Sequence, residues 1–197
     1  MRTSIRLYCK SFFPNIRYLD KYVRGGQWLK DKHQDRIKFT AEFMEYCNAA
    51  NRKCLQIGVR GAKCGKNWVS VDLYDKSPLI DFNYDIRSLG FADETFDGIV
   101  CNAILEHVDD PVKSTAEMHR VLRPGGRIWV EVPLNQPYHP SPDDYWRVTP
   151  EGMRIWMRQF KEISSGGFFI ENSTIYTGIY FYGEKCFEKE FSHGKNY

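Results

Sequence analysis

Asp72 closes the apolar run Trp68-Val69-Ser70-Val71, and a carboxylate in that position can accept both hydroxyl hydrogens of a ribose. The alternative is a helix cap or a surface acid. Upstream, Gly58-Val59-Arg60-Gly61-Ala62 follows the short apolar run Cys54-Leu55-Gln56-Ile57. Glycines there let a backbone approach a ligand closely, although any tight strand-to-helix turn can contain them. Asp85-Ile86-Arg87 follows residues 79–83, and Asn102-Ala103-Ile104 follows residues 96–101, so further polar groups recur just past apolar runs. The richest stretch is residues 133–149, which holds His139, Asp144, Tyr145, Trp146 and Arg147 among several prolines. A histidine suits proton transfer near neutral pH, which makes His139 the candidate general base. Asp144, Tyr145 and Arg147 can orient it or the molecule it acts on; alternatively an Arg147–Asp144 pair simply braces the loop.

These groups need a scaffold that brings them to one edge. Residues 54–57, 68–72, 79–83, 96–101 and 128–133 read as strands, and a β-hairpin is expected from residues 169–176 and 179–182 around Thr177-Gly178. Between them lie helical patterns. Phe39, Phe43, Tyr46 and Cys47 share one face of a helix over residues 36–48. Asp110 caps a second helix with Pro111 at its first position, where a missing N–H costs nothing. Thr149-Pro150-Glu151 starts a third, with Met153, Trp156, Met157 and Phe160 on its apolar face. Strands alternating with helices predict a Rossmann-like, doubly wound, mostly parallel sheet of seven strands ending in an antiparallel hairpin, with an N-terminal helical extension. Ligands of such sheets sit beyond the carboxyl ends of the strands, so the loops after Ile57, Asp72, Cys101 and Pro133 should share one pocket. Two regions follow: an extension over residues 1–50, acting as a lid or a dimer contact, and a domain over residues 51–197.

The segment Asp97-Gly98-Ile99-Val100-Cys101-Asn102-Ala103-Ile104-Leu105-Glu106-His107-Val108, followed by Arg120-Val121-Leu122-Arg123-Pro124-Gly125-Gly126-Arg127, resembles the class I S-adenosylmethionine (SAM) dependent methyltransferases. Within that class it is most similar to the type 11 methyltransferase-domain family, over roughly residues 53–160. The resemblance implies SAM as cofactor. Asp72 would hold the ribose, Leu73 would flank the adenine, Asp85 would accept from the adenine amine, and the Ile86 N–H would reach a ring nitrogen. Gly58 and Gly61 would let the backbone approach, Arg60 would pair with the methionine carboxylate, and Asn102 and Ala103 would line the sulfonium. Gln56, Arg60 and Ala62 stand where the family pattern has an acid and two further glycines. His107 reads as a structural histidine that fixes its turn. The implied activity is methyl transfer to a small-molecule, saccharide or glycan-intermediate acceptor. The alternatives are an accessory protein that no longer holds SAM and an RNA methyltransferase.

Composition sets the remaining bounds. The 197 residues suit one domain with an added segment, and 42% hydrophobic content suffices for a core. No apolar run is long enough to span a membrane, and the basic residues near Met1 precede no apolar stretch, so neither a span nor a signal peptide is expected. Six cysteines without Cys-x-x-Cys spacing fit reduced thiols and a cytoplasmic setting better than a zinc site, and no metal is expected. Residues 1–38 are rich in Lys and Arg, which suits either attraction to something anionic or a solvated face. Nucleic acid is not the expected partner; a homodimer is compatible with the sequence.

Overall fold

A computed structural model describes residues 27–49, 51–59, 61–66, 68–169 and 177–187. Its element order is α1 (Gln27–Asn48), β1 (Cys54–Ile57), β2 (Trp68–Val71), β3 (Phe96–Asn102), a single 3-10 turn (Leu105–His107), α2 (Pro111–Val121), β4 (Leu122–Pro133), α3 (Pro150–Trp156), β5 (Lys161–Phe169) and β6 (Thr177–Glu184). The strands form one sheet in the order β2-β1-β3-β4-β6-β5. The first four are parallel, and β6 runs antiparallel to both β4 and β5.

Strand alternation sorts the side chains into two cores. Leu55 and Ile57 of β1, Ile128, Val130 and Val132 of β4, and Ile179 and Phe181 of β6 point to one face, where they meet α2 and α3 through Met118, Val121, Met153 and Met157. Cys54, Trp68, Trp129, Tyr180 and Tyr182 point to the other, where Phe43 and Cys47 of α1 close over them. Trp129 and Tyr180 stack there at 5.4 Å with 10° between their planes. Arg36 of α1 reaches the same face and clamps Glu131 of β4 with two hydrogen bonds of 2.7 and 3.1 Å. The helix therefore shares a core with the sheet. The extension expected over residues 1–50 as a lid or dimer contact thus includes a helix packed in the core, and its residues 1–26 lie outside the described residues.

The expected caps form. Asp110 accepts from the Lys113 N–H, and the Thr149 hydroxyl accepts from the Gly152 N–H. Four expectations need correction. The described residues form six strands rather than seven, because residues 79–83 make only one parallel bridge, Val71 to Phe82. The Asp81 side chain takes the Ser70 N–H that a neighbouring strand would otherwise pair, so the ladder ends there. Among the described residues the arm that pairs with β6 is β5, and Thr177-Gly178 lies inside β6 and not at a turn; the Ser164-Ser165-Gly166-Gly167 centre of β5 carries too little strand propensity to be seen without its partner. Residues 170–176 lie outside the described residues. β4 begins at Leu122, not Ile128. Its pairing jumps from Phe96–Leu122 to Gly98–Arg127, so the Pro-Gly-Gly stretch is a bulge inside the strand. Finally, α1 begins at Gln27, nine residues before the expected start at Arg36.

Candidate active site

The chain passes from β1 outward to β2 and then returns to β3 on the opposite flank. Loops leaving the carboxyl ends of β1 and β3 must diverge, and a crevice opens between them. A cavity of about 740 Å³ occupies this position, a size usual for a cofactor site. Its wall is built from Gly58 and Val59 after β1, Asp72 to Asp75 after β2, Tyr84 to Arg87, Ala103, Ile104 and His107 after β3, and His139, Ser141, Asp143 and Tyr145 of the loop after β4.

Backbone conformation explains the turn after β1. Gly58 has φ +75°, and a Cβ there would stand 2.3 Å from Ile104 Cδ1. Its N–H donates to the Val71 carbonyl at 2.8 Å, tying the turn to the tip of β2. Gly61 also has positive φ, +79°, with open space around it, so conformation alone favours glycine. Gln56 is buried behind the turn. Its Nε2 donates to the Gly58 and Ala62 carbonyls, and its Oε1 accepts from the Cys64 N–H. Gln56 thus shapes the loop from within and does not line the cavity. Arg60 lies outside the described residues.

Asp72 lies in the cavity wall. Its Oδ1 accepts the Tyr74 and Asp75 N–H groups at 2.9 Å each, and Oδ2 takes no hydrogen bond from the described residues. Leu73 and Ile86 line the cavity beside it. Asp85 lines it too, but the Arg87 guanidinium grips both its oxygens and the Arg87 N–H binds Oδ1. Those bonds hold the Asp85 carboxyl below its usual range. An adenine amine would have to share an acceptor already engaged. Ala103 reaches the cavity with φ +53°, an uncommon value for a residue with a Cβ and one that clusters at functional loops. Asn102, at the end of β3, does not line it.

The loop after β4 divides between wall and brace. The Asp144 side chain is 1% exposed; it binds Arg147 at 2.6 and 2.7 Å and accepts the His139 N–H at 2.8 Å. Those bonds, led by Arg147, hold its carboxyl far below the usual range. Arg147 also donates to the Gln136 and Pro137 carbonyls. Neither residue lines the cavity; the Arg147–Asp144 pair braces the loop, the alternative reading, and both residues also touch His139, which they were expected to orient. Tyr145 does line it, and its hydroxyl donates to Asp143 Oδ2 at 3.1 Å. His139 lines it as well, yet both ring nitrogens face protein. Nδ1 stands 2.8 Å from the Pro137 carbonyl, and Nε2 is buried. A lone general base aimed at the cavity is therefore not what the geometry gives.

Sequence reasoning missed what lies beneath His139. The Glu106 side chain is fully buried, with Oε1 3.8 Å from His107 Nε2 and 3.9 Å from His139 Nε2. The two imidazoles meet edge to face, with centroids 5.2 Å apart. The Glu106 carbonyl accepts the Tyr145 and Trp146 N–H groups, and His107 Nδ1 stands 2.6 Å from the Asp143 carbonyl. The turn after β3 and the loop after β4 are thus stitched together at this point. His107 anchors its turn as expected, but it also faces the cavity. Tyr74, Tyr84, Arg87, Ile104 and Asp143 were not singled out as site residues either; no local pattern marks them.

The strand order, with its reversal between β1 and β3 and the antiparallel β6, is the fold expected of a class I methyltransferase. Residues 59–130 match a family model described as a methyltransferase domain, in line with the resemblance read from the sequence. It is 30% identical over 128 residues to the ubiquinone/menaquinone biosynthesis C-methyltransferase UbiE of Klebsiella pneumoniae subsp. pneumoniae, covering 62% of this chain and 50% of that protein. The chain thus spans about half the length of this curated relative. Among solved structures, it is similar to a 1,6-didemethyltoxoflavin-N1-methyltransferase of Burkholderia thailandensis with bound S-adenosylhomocysteine. The TM-score is 0.55 at 17% identity, over 80% of this chain and 85% of that one. The cyclase SpnF is equally similar in fold, with a TM-score of 0.57 at 14% identity over 89% and 95% of the two chains. The fold alone therefore does not fix the reaction.

Proposed function

We propose that this chain binds SAM in the cavity and moves its methyl group to a small polar acceptor. The observation that carries the reading is Asp72, held by two backbone N–H groups with its second oxygen turned to no described partner, in the wall of a cofactor-sized cavity. The residues present fit the cofactor. Glycine at 58 lets the turn after β1 close against Ile104, and both residues lie in the cavity wall. Five aspartates line the cavity (Asp72, Asp75, Asp85, Asp109 and Asp143) against one arginine, Arg87, a wall suited to a cationic sulfonium.

When bound, SAM supplies a methyl group already activated by positive sulfur, so the chemistry is an in-line displacement. The chain's own work is alignment and exclusion of water. Asp72 orients the sugar, while Leu73 and Ile86 give the base apolar contact. Ala103 and Ile104 form the floor. Tyr145 and Asp143, at the mouth, offer a hydroxyl and a carboxylate to the acceptor. That polar rim favours a hydroxyl-bearing acceptor, such as a saccharide or glycan intermediate, over the quinone chemistry named for the UbiE relatives. A cytoplasmic setting and a homodimer belong to the same reading.

The test is calorimetry with S-adenosylhomocysteine on the full chain, followed by transfer of labelled methyl from SAM to a panel of saccharides and quinols. Binding with transfer to a saccharide supports the reading. Absence of binding defeats it, and transfer to quinols alone replaces the acceptor class.

A further inference from the structure

We propose that Glu106, His107 and His139 form a binding site for one divalent transition-metal ion at the acceptor end of the cavity. One carboxylate oxygen and two imidazole nitrogens lie within 4.8 Å of one another. Each imidazole is set as a metal-binding histidine usually is. Nδ1 of His107 faces the Asp143 carbonyl and Nδ1 of His139 faces the Pro137 carbonyl, at 2.6 and 2.8 Å. A carbonyl only accepts, so both Nδ1 atoms carry the proton and both Nε2 atoms present a lone pair. Arg147 Nη2 lies 3.1 Å from His139 Nδ1; with the proton on Nδ1 these are two donors that do not bond, and the guanidinium charge there is balanced by Asp144.

The result is two nitrogen lone pairs and a carboxylate aimed at one point. Ligands about 2.1 Å from a tetrahedral ion stand about 3.4 Å apart, so the 3.8 and 3.9 Å separations need only a modest inward shift. Two imidazoles and one carboxylate select a borderline ion such as zinc or cobalt over calcium or magnesium, which prefer oxygen. Three protein ligands leave a position open, and His107 and His139 both line the cavity, so the site lies next to the acceptor space.

A role for the ion rests on the methyltransferase reading; its binding does not. A hydroxyl oxygen coordinated in the open position acidifies and releases its proton to water. The oxygen–methyl bond then forms as the methyl–sulfur bond breaks, and the sulfur leaves as a neutral thioether.

The experiment titrates the chelator-treated full chain with Co²⁺ at pH 7.5, reading visible absorption and competition by Zn²⁺. One equivalent is expected, with d–d bands of a four- or five-coordinate ion. His139→Gln and Glu106→Gln are expected to raise the Co²⁺ dissociation constant at least tenfold. His139 is a third exposed and sits on a loop, so its variant keeps the fold even if the Glu106 variant does not; circular dichroism of each metal-free protein checks this. Absence of Co²⁺ binding, or binding equally tight in His139→Gln, overturns the site. S-Adenosylhomocysteine calorimetry on the metal-free protein separates the two readings. If it binds without any metal site, only this inference falls.

Discussion

Asp72→Asn isolates the proposed ribose contact from the architecture around it. The asparagine keeps Oδ1, which accepts the Tyr74 and Asp75 N–H groups, so the turn after β2 stays closed. It replaces Oδ2 by an amide that cannot accept a hydroxyl hydrogen. A hydrogen bond to a charged acceptor contributes about 1.5–3 kcal/mol. At about 1.4 kcal/mol per factor of ten, the dissociation constant for S-adenosylhomocysteine should rise about tenfold to a hundredfold. The folded protein should be unharmed, with a melting temperature within roughly 2 °C of the parent, because surface changes away from buried groups cost little. Calorimetry gives the affinity and thermal circular dichroism the stability. An unchanged affinity in a folded variant would refute the placement of the sugar on Asp72. A fall in stability that matches the loss of binding would refute the division between Oδ1 as architecture and Oδ2 as contact.

Three further expectations concern the frame. Asp144→Asn breaks a nearly buried pair with Arg147 and should cost about 1–3 kcal/mol in urea unfolding at pH 7. The folded Asp144 carboxyl titrates well below its unfolded value, so its contribution is present above about pH 4 and fades as the pH falls towards the folded value. The stability gap between parent and variant should therefore narrow below pH 4; a constant gap would show that charge is not its source. Phe43→Ala should cost about 3–5 kcal/mol and lower the melting temperature by roughly 6–20 °C, because Phe43 packs on Trp68, Trp129 and Tyr182 from α1. A fragment starting at residue 51 should fail to fold for the same reason; cooperative unfolding of that fragment would show that α1 is dispensable.

By itself, the sequence determined whatever depends on short-range pattern. Alternating apolar residues set β1, β3 and the second half of β4. Asp110-Pro111 and Thr149-Pro150 set the starts of α2 and α3, and the Gly58 turn and Asp72 were legible because each directly follows an apolar run. The pattern failed where partners come from far along the chain. β5 forms through its pairing with β6, and its small residues leave room for α1, where a Cβ on Gly166 would meet the Lys32 side chain. The expected third strand was lost because the Asp81 side chain occupies the Ser70 N–H, a competition invisible in a hydrophobic profile. The largest shift concerned the loop after β4. Its residue types announced chemistry, but only tertiary structure set Asp144 against Arg147 as a brace and turned His139 towards Glu106 and His107. Residues more than thirty positions apart come into contact because the sheet brings two loops together at one edge and fixes the distance and direction of their side chains.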